Sequence, residues 1–115
     1  MSGIPDYNEP KNAVASQMQA MSTSQPDLMN AFGQLAAAGT KGGALDRNTQ
    51  ELVALGIAIA CRCDDCIGFL VQTLVKLGAT RSEVEDVLGT AGYMGGGPSM
   101  MYATHALGAF EQFSS

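Results

Sequence analysis

The chain has 115 residues, enough for one domain with one core, and 46% hydrophobic against 15% charged residues argues against a disordered coil. Eleven acidic and six basic residues give a net charge of −5, without the basic stripe of a nucleic-acid binder or the polybasic helix of a membrane-surface protein. The longest apolar stretch, Leu52 to Cys61, is too short for a membrane span, and the polar start Met1 to Glu9 lacks a secretory pattern, so a cytoplasmic location is expected.

Helical spacing recurs along the chain and period-two alternation is almost absent, which predicts an all-α protein of about six helices. After a loose start containing Pro5 and Pro10, Val14, Met18 and Met21 trace a first stripe. Ser24, Pro26 and Asp27 read as the start of a second helix, with Leu28, Ala31, Phe32 and Leu35 as its apolar face. The glycine-rich Gly39 to Gly43 suggests a boundary between an N-terminal helical segment (1–43) and a helical core (44–115) within one compact domain. Asp46 is an N-cap for a third, buried helix running toward Cys61. A short turn near Arg62 starts a fourth, with Cys63, Cys66, Ile67, Leu70, Val71, Leu74 and Val75 on one stripe and Gly78 as a left-handed cap. Thr80 and Glu83 have capping-box spacing for a fifth, buried through Val84, Val87, Leu88 and Ala91. Gly95 to Gly97 break the chain, and Pro98 opens a last helix with Met100, Ala103, Leu107 and Phe110 inward.

Cys63-Asp64-Asp65-Cys66 is the sharpest motif. Cysteines three apart on a helix are neighbours, close enough to interconvert between dithiol and disulfide. A helix start at Cys63 favours a thiolate, Asp64 and Asp65 oppose it, and Arg62 partly offsets them. Three readings stand side by side: a redox dithiol, a soft-metal site completed by Cys61, and buried small hydrophobes. The spacing in a cytosolic setting favours the first, while a metal site lacks a fourth ligand. Cys61, two residues from Cys63 on another helix face, reads as a packed small residue.

Glu51 lies on a line with Leu55, Ala58 and Ile59, so it is either a semi-buried acid serving the thiols or a helix-start acid favoured by the dipole. One turn beyond Cys66 stands Leu70, which cannot move a proton and reads as core. His105, the only histidine, lies roughly opposite the apolar face of the last helix, beside Met101, Gly108 and Gln112, and reads as a solvent or subunit-contact residue. Tyr93 and Tyr102 flank the glycine turn, where packing is the ordinary role.

Leu45-Asp46 leading to Glu51-Leu52, then Cys63-x-x-Cys66, Leu77-Gly78-Ala79-Thr80 and Tyr93-Met94-Gly95-Gly96-Gly97-Pro98 resemble the carboxymuconolactone decarboxylase family, the cysteine pair pointing to its alkylhydroperoxidase D-like branch. The resemblance implies a compact all-helical subunit that assembles as trimers or hexamers, with the cysteine pair opening a central helix. It implies reduction of a small-molecule hydroperoxide, or electron exchange with a dithiol donor such as lipoamide, with no bound cofactor or metal. Cys63 and Cys66 match the redox pair, and Glu51, twelve residues before Cys63, matches the relay glutamate. The relay histidine expected four residues after the second cysteine is absent, since Leu70 stands there.

The sequence therefore points to a thiol-dependent oxidoreductase using Cys63, Cys66 and Glu51, weakened by Leu70. The alternative from another class is a non-enzymatic oligomeric scaffold that keeps the family fold. A decarboxylase-type reaction is a weaker reading, because Arg62 and Arg81 are the only nearby arginines.

Overall fold

Helix boundaries follow the caps written in the sequence. The computed structural model describes residues 3–115, with the backbone alone for residues 9–12. Its helices are α1 (Asn8–Ser24), α2 (Pro26–Gly39), α3 (Arg47–Ala60), α4 (Asp64–Lys76), α5 (Arg81–Gly95) and α6 (Gly97–Ser114). Asp46 caps α3 by accepting the Thr49 N–H at 2.8 Å, a bond that holds its carboxyl below the usual range. Thr80 and Glu83 form the expected reciprocal box, at 3.1 and 2.8 Å. Gly78 has φ 86°, and α4 closes over it with Gly78 N–H on the Val75 carbonyl (3.1 Å) and Ala79 N–H on the Leu74 carbonyl (2.9 Å).

The core lies between α3, α4, α5 and α6. It is built from Leu55, Ala58 and Ile59, then Ile67, Val71 and Leu74, then Val84, Leu88 and Ala91, and from Ala103, Ala106 and Ala109. Each fully buried leucine, isoleucine or valine contributes about 1.5–3 kcal/mol. The alanines of α6 let that helix approach its neighbours closely. Among the described residues, no helix is long and apolar enough to cross a membrane.

Outside this core, α1 touches α4, and α2 packs chiefly on α1. The predicted apolar face of α2 is bare, with Leu28, Phe32 and Leu35 at 55, 57 and 69% exposure. Met18 and Met21 on α1 are exposed as well.

Three sequence expectations shift. Ser24 does not start α2: α1 runs through it and breaks at Gln25 (φ −136°, ψ 62°), because the residue before a proline is driven out of helical conformation. Pro10 lies inside α1, whose first turn tolerates proline because its N–H groups have no intrahelical partner. Met100, expected inward, is exposed, and the buried stripe of α6 runs through Ser99, Ala103, Ala106 and Ala109. Ser99 is drawn in against Gly95, where a β-carbon would collide with its hydroxyl, and Met100 lies over Gly92 at the edge of α5 instead of in the core.

Candidate active site

Between Ala60 and Asp64 the chain must end α3 and begin α4, and it does so with a left-handed turn. Arg62 N–H bonds the Ile59 carbonyl at 3.1 Å and Cys63 N–H bonds the Ala58 carbonyl at 3.0 Å. This pattern needs a left-handed residue at position 62, and Arg62 supplies it with φ 58°. For a residue with a side chain that conformation costs about 1–2 kcal/mol. The turn carries its strain immediately before the cysteine pair.

Cys63 then caps α4 in place of the usual hydroxyl or carboxylate. Its backbone is extended (φ −101°, ψ 94°), and its Sγ accepts the Cys66 N–H at 3.3 Å. With Cα atoms 5.2 Å apart, Cys63 and Cys66 are joined in a disulfide. Cys66 faces solvent and Cys63 is half-buried. When the bond opens, a thiolate here would sit among the unpaired N–H groups at the positive end of α4. Two carboxylates, Asp64 and Asp65, share that first turn.

Asp64 is not left to repel the thiols freely. Its Oδ1 accepts the Tyr7 hydroxyl at 2.7 Å and lies 2.8 Å from His105 Nδ1. An ionised carboxylate can only accept, so Nδ1 carries the hydrogen. Tyr7 is 2% exposed, and burial first, then the bond to Asp64, pushes its hydroxyl well above the ordinary tyrosine range. The His105 ring leans on Tyr102, with centroids 4.8 Å apart.

The segment bearing Tyr7 is stitched down on both sides. Tyr7 N–H bonds Gln112 Oε1 at 3.0 Å, and Gln112 Nε2 returns a bond to the Pro5 carbonyl at 2.8 Å. Gly68 leaves room for this crossing, since a β-carbon there would come within 2.7 Å of the Tyr7 ring.

Glu51 sits on the buried face of α3 with Leu55, Ala58 and Ile59, as its spacing predicted. Among the described residues its side-chain partner is Arg47, at 3.7 Å. Leu70 is half-buried and packs against the core. Cys61, expected to be packed, is instead exposed as the C-cap of α3, because the left-handed turn at Arg62 swings it away from the core. His105, expected at solvent or a subunit contact, is drawn onto Asp64 with 17% of its side chain exposed. Tyr93 is 83% exposed. Arg81 spends its guanidinium on Glu85 and Glu111, at 3.3 and 3.2 Å.

Tyr7 escaped the sequence reading, and Asp64 entered it only as a charge opposing the thiolate, without its partners. The two contacts on Asp64 join residues 57 and 41 positions apart, and no local periodicity announces such pairs. A faint signal was the spacing of Tyr102 and His105, three apart and so on one flank of α6.

Residues 26–109 match the sequence pattern of the carboxymuconolactone decarboxylase family. The chain is 50% identical to a protein of that family from Legionella pneumophila, whose apo crystal structure superposes with a TM-score of 0.93 over 95% of this chain and 97% of that one. It is 26% identical to a Thermotoga maritima member, for which involvement in an antioxidative response has been raised as a possibility, with a TM-score of 0.78 over 90% and 88% of the two chains. An uncharacterized protein of Cupriavidus necator is 36% identical over 99 residues, covering 86% of this chain and 88% of its own length.

Proposed function

The chain belongs to the carboxymuconolactone decarboxylase family, and on that footing we propose that it is a thiol-dependent oxidoreductase that reduces hydroperoxides or disulfides through Cys63 and Cys66. The observation that carries this reading is the closed cysteine pair at the N-terminus of α4, with its outer sulfur facing solvent. Cys66, as thiolate, attacks the outer oxygen of a hydroperoxide; the O–O bond breaks, a proton joins the departing alkoxide, and the sulfur becomes a sulfenic acid. Cys63 then condenses with it, releasing water and forming the disulfide. An external dithiol of the lipoyl type restores both thiols by exchange and leaves as a disulfide. Glu51 is the proposed proton carrier, buried and one helix away in sequence; general acid–base help of this kind contributes about 10²–10⁴-fold. With Leu70 half-buried against the core, no imidazole is available from position 70, which makes for a slow peroxidase. A reducing cytosolic compartment suits such a pair.

The test is to mix reduced protein with an alkyl hydroperoxide and follow each thiol by mass spectrometry. Loss of Cys63 and Cys66 as a pair, with a sulfenic acid accumulating at Cys66 in Cys63→Ser, is expected. Thiols that stay reduced while a control dithiol oxidises would overturn the reading. The scaffold alternative draws on Leu70, and gains if replacing both cysteines by serine leaves every measurable activity intact.

Self-assembly into trimers or hexamers belongs to the same proposal. It is supported by an apolar helix and an apolar groove that both lack cover. In 14 residues α2 carries one charge, Asp27. Between α3 and α5 lies an open groove of about 590 Å³, lined by Leu52, Val53, Ile57, Val87 and Met94 among others. A heterologous contact of one copy's α2 with another's groove generates a ring when the rotation between copies closes. Sedimentation at micromolar concentration should show an oligomer that Phe32→Glu weakens; a wild-type monomer would contradict it.

A further inference from the structure

The family motif's second proton-active group is missing from α4, yet the structure brings an imidazole to the same turn from α6. His105 Nδ1 and the Tyr7 hydroxyl converge on a single oxygen of Asp64, the residue between Cys63 and the rest of α4's first turn. Every group around that oxygen is placed by long-range packing: Tyr7 by the segment stitched to Gln112 and seated on Gly68, His105 by α6 and the Tyr102 ring. Such a contact would be idle if Asp64 were only a solvated helix-start acid, as Asp65 is on the exposed side of the turn.

We propose that His105 and Tyr7 are positioning residues for the cysteine pair, acting through Asp64: they fix its carboxylate and draw its negative charge away from the Cys66 thiolate. This inference rests on the thiol-redox reading and deepens it. The charged and titratable groups on the thiols' own turn are Arg62, Asp64 and Asp65; Tyr7 from the N-terminal segment and His105 from α6 meet Asp64, with Tyr102 beside His105, and Glu51 on α3 is the proton carrier proposed above. A thiolate two residues from an unshared carboxylate forms less readily, because like charge disfavours a second anion. Two donors on Oδ1 spread that charge onto the tyrosine and the imidazole, and leave Asp65 as the one unshared carboxylate of the turn against the N–H groups of α4. The hydrogen bond, rather than imidazole basicity, carries the effect. Asparagine places an amide nitrogen at the same branch position as Nδ1, so His105→Asn should preserve the function.

The experiment measures alkylation of reduced, full-length protein by iodoacetamide, resolved residue by residue, with exposed Cys61 as an internal reference. His105→Ala and Tyr7→Phe should each slow Cys66 alkylation by about three- to tenfold, a tenfold change being one unit of thiol pKa. Cys61 should be unaffected and His105→Asn should stay near wild type. In an Asp64→Asn background, where no charge remains to be drawn off, His105→Ala and Tyr7→Phe should change nothing. The proposal is overturned if either variant leaves Cys66 at the wild-type rate, if the slowing persists undiminished in Asp64→Asn, or if His105→Asn is as slow as His105→Ala. Should His105→Ala fail to fold, Tyr7→Phe and His105→Asn carry the same comparison. Hydroperoxide oxidation of wild type in the same samples separates the two levels. Absence of oxidation there defeats the redox reading, whereas oxidation with no dependence on Tyr7 or His105 defeats this one alone.

Discussion

Two consecutive turns of this chain use the same backbone device for different ends. The α3–α4 turn and the α4–α5 turn both close the preceding helix through a left-handed residue with paired N–H···O=C bonds; in the first that residue is followed directly by an N-cap, in the second after Ala79. At the second turn each position carries the residue that physics favours: Gly78 at φ 86°, then Thr80 and Glu83 in a complete capping box. At the first turn each position carries a worse one. Arg62 bears the left-handed conformation, and a cysteine sulfur, a weak acceptor, takes the cap. What the first turn has in exchange is a closed cysteine pair, an arginine next to it in sequence, and two side-chain bonds on Asp64 from distant parts of the chain. Under the proposed function, local stability is given up where chemistry is placed, and long-range contacts hold what the local sequence does not.

The comparison would break if reactivity did not concentrate at the first turn, and the largest expected effect tests that. Glu51→Gln, on the face of α3 that packs into the core, should slow hydroperoxide oxidation of Cys66 by about 10²-fold while leaving the thermal transition close to wild type. Stopped-flow thiol loss and calorimetry on one preparation check both halves. An exchange of the two left-handed residues comes next. Gly78→Arg should destabilise the protein by about 1–2 kcal/mol without altering thiol reactivity. Arg62→Gly should stabilise it by up to about 1 kcal/mol and slow alkylation of Cys66, since the cation is lost. Urea unfolding of the two variants, run beside the thiol assay, reads the crossover directly.

The long-range side of the first turn has its own signature in pH. Tyr7 holds its proton more tightly in the folded state than an ordinary tyrosine. Above about pH 10 the unfolded chain releases that proton while the folded one keeps it, so stability should fall with rising pH, by at most about 1.4 kcal/mol per unit. The contribution is complete below the unfolded value and fades above it. Tyr7→Phe should remove that part of the alkaline slope, which denaturation curves between pH 9 and about 11 would show.

Legibility followed the same division. Everything in the second turn is local, so the left-handed glycine, the capping box and the stripe of Val84, Leu88 and Ala91 were readable from spacing alone. The face Glu51, Leu55, Ala58 and Ile59 was equally plain, because a 3.6-residue period survives in any helix that buries one side. The first turn was readable as a motif, through Cys63 and Cys66, but its setting was not. Tyr7 stood in a segment that looked loose, and it is among the most buried side chains. His105 looked solvent-facing because it lies off the apolar stripe of α6, yet a polar partner on α4 buries it. Helical periodicity reports which face is apolar, and says nothing of polar pairs made across 41 or 57 residues. The exposed face of α2 carries the converse lesson, since an apolar stripe specifies that something covers it and leaves open what.

The smallest expected effect separates the two roles of Cys63. Oxygen accepts a backbone N–H better than sulfur does, and serine is among the preferred N-cap residues. In the reduced state Cys63→Ser should therefore stabilise α4 by about 0.5 kcal/mol relative to wild type, while removing the disulfide and leaving any sulfenic acid at Cys66 unresolved. Thr80→Ala at the equivalent position of the second turn should instead lose about 1 kcal/mol with no redox consequence. Thermal unfolding under a strong reductant, with the wild type in the same buffer, decides the matter. If reduced Cys63→Ser were less stable than reduced wild type, the sulfur would be a structural cap in its own right. The weaker residue at the first turn could then no longer be understood as a concession to chemistry.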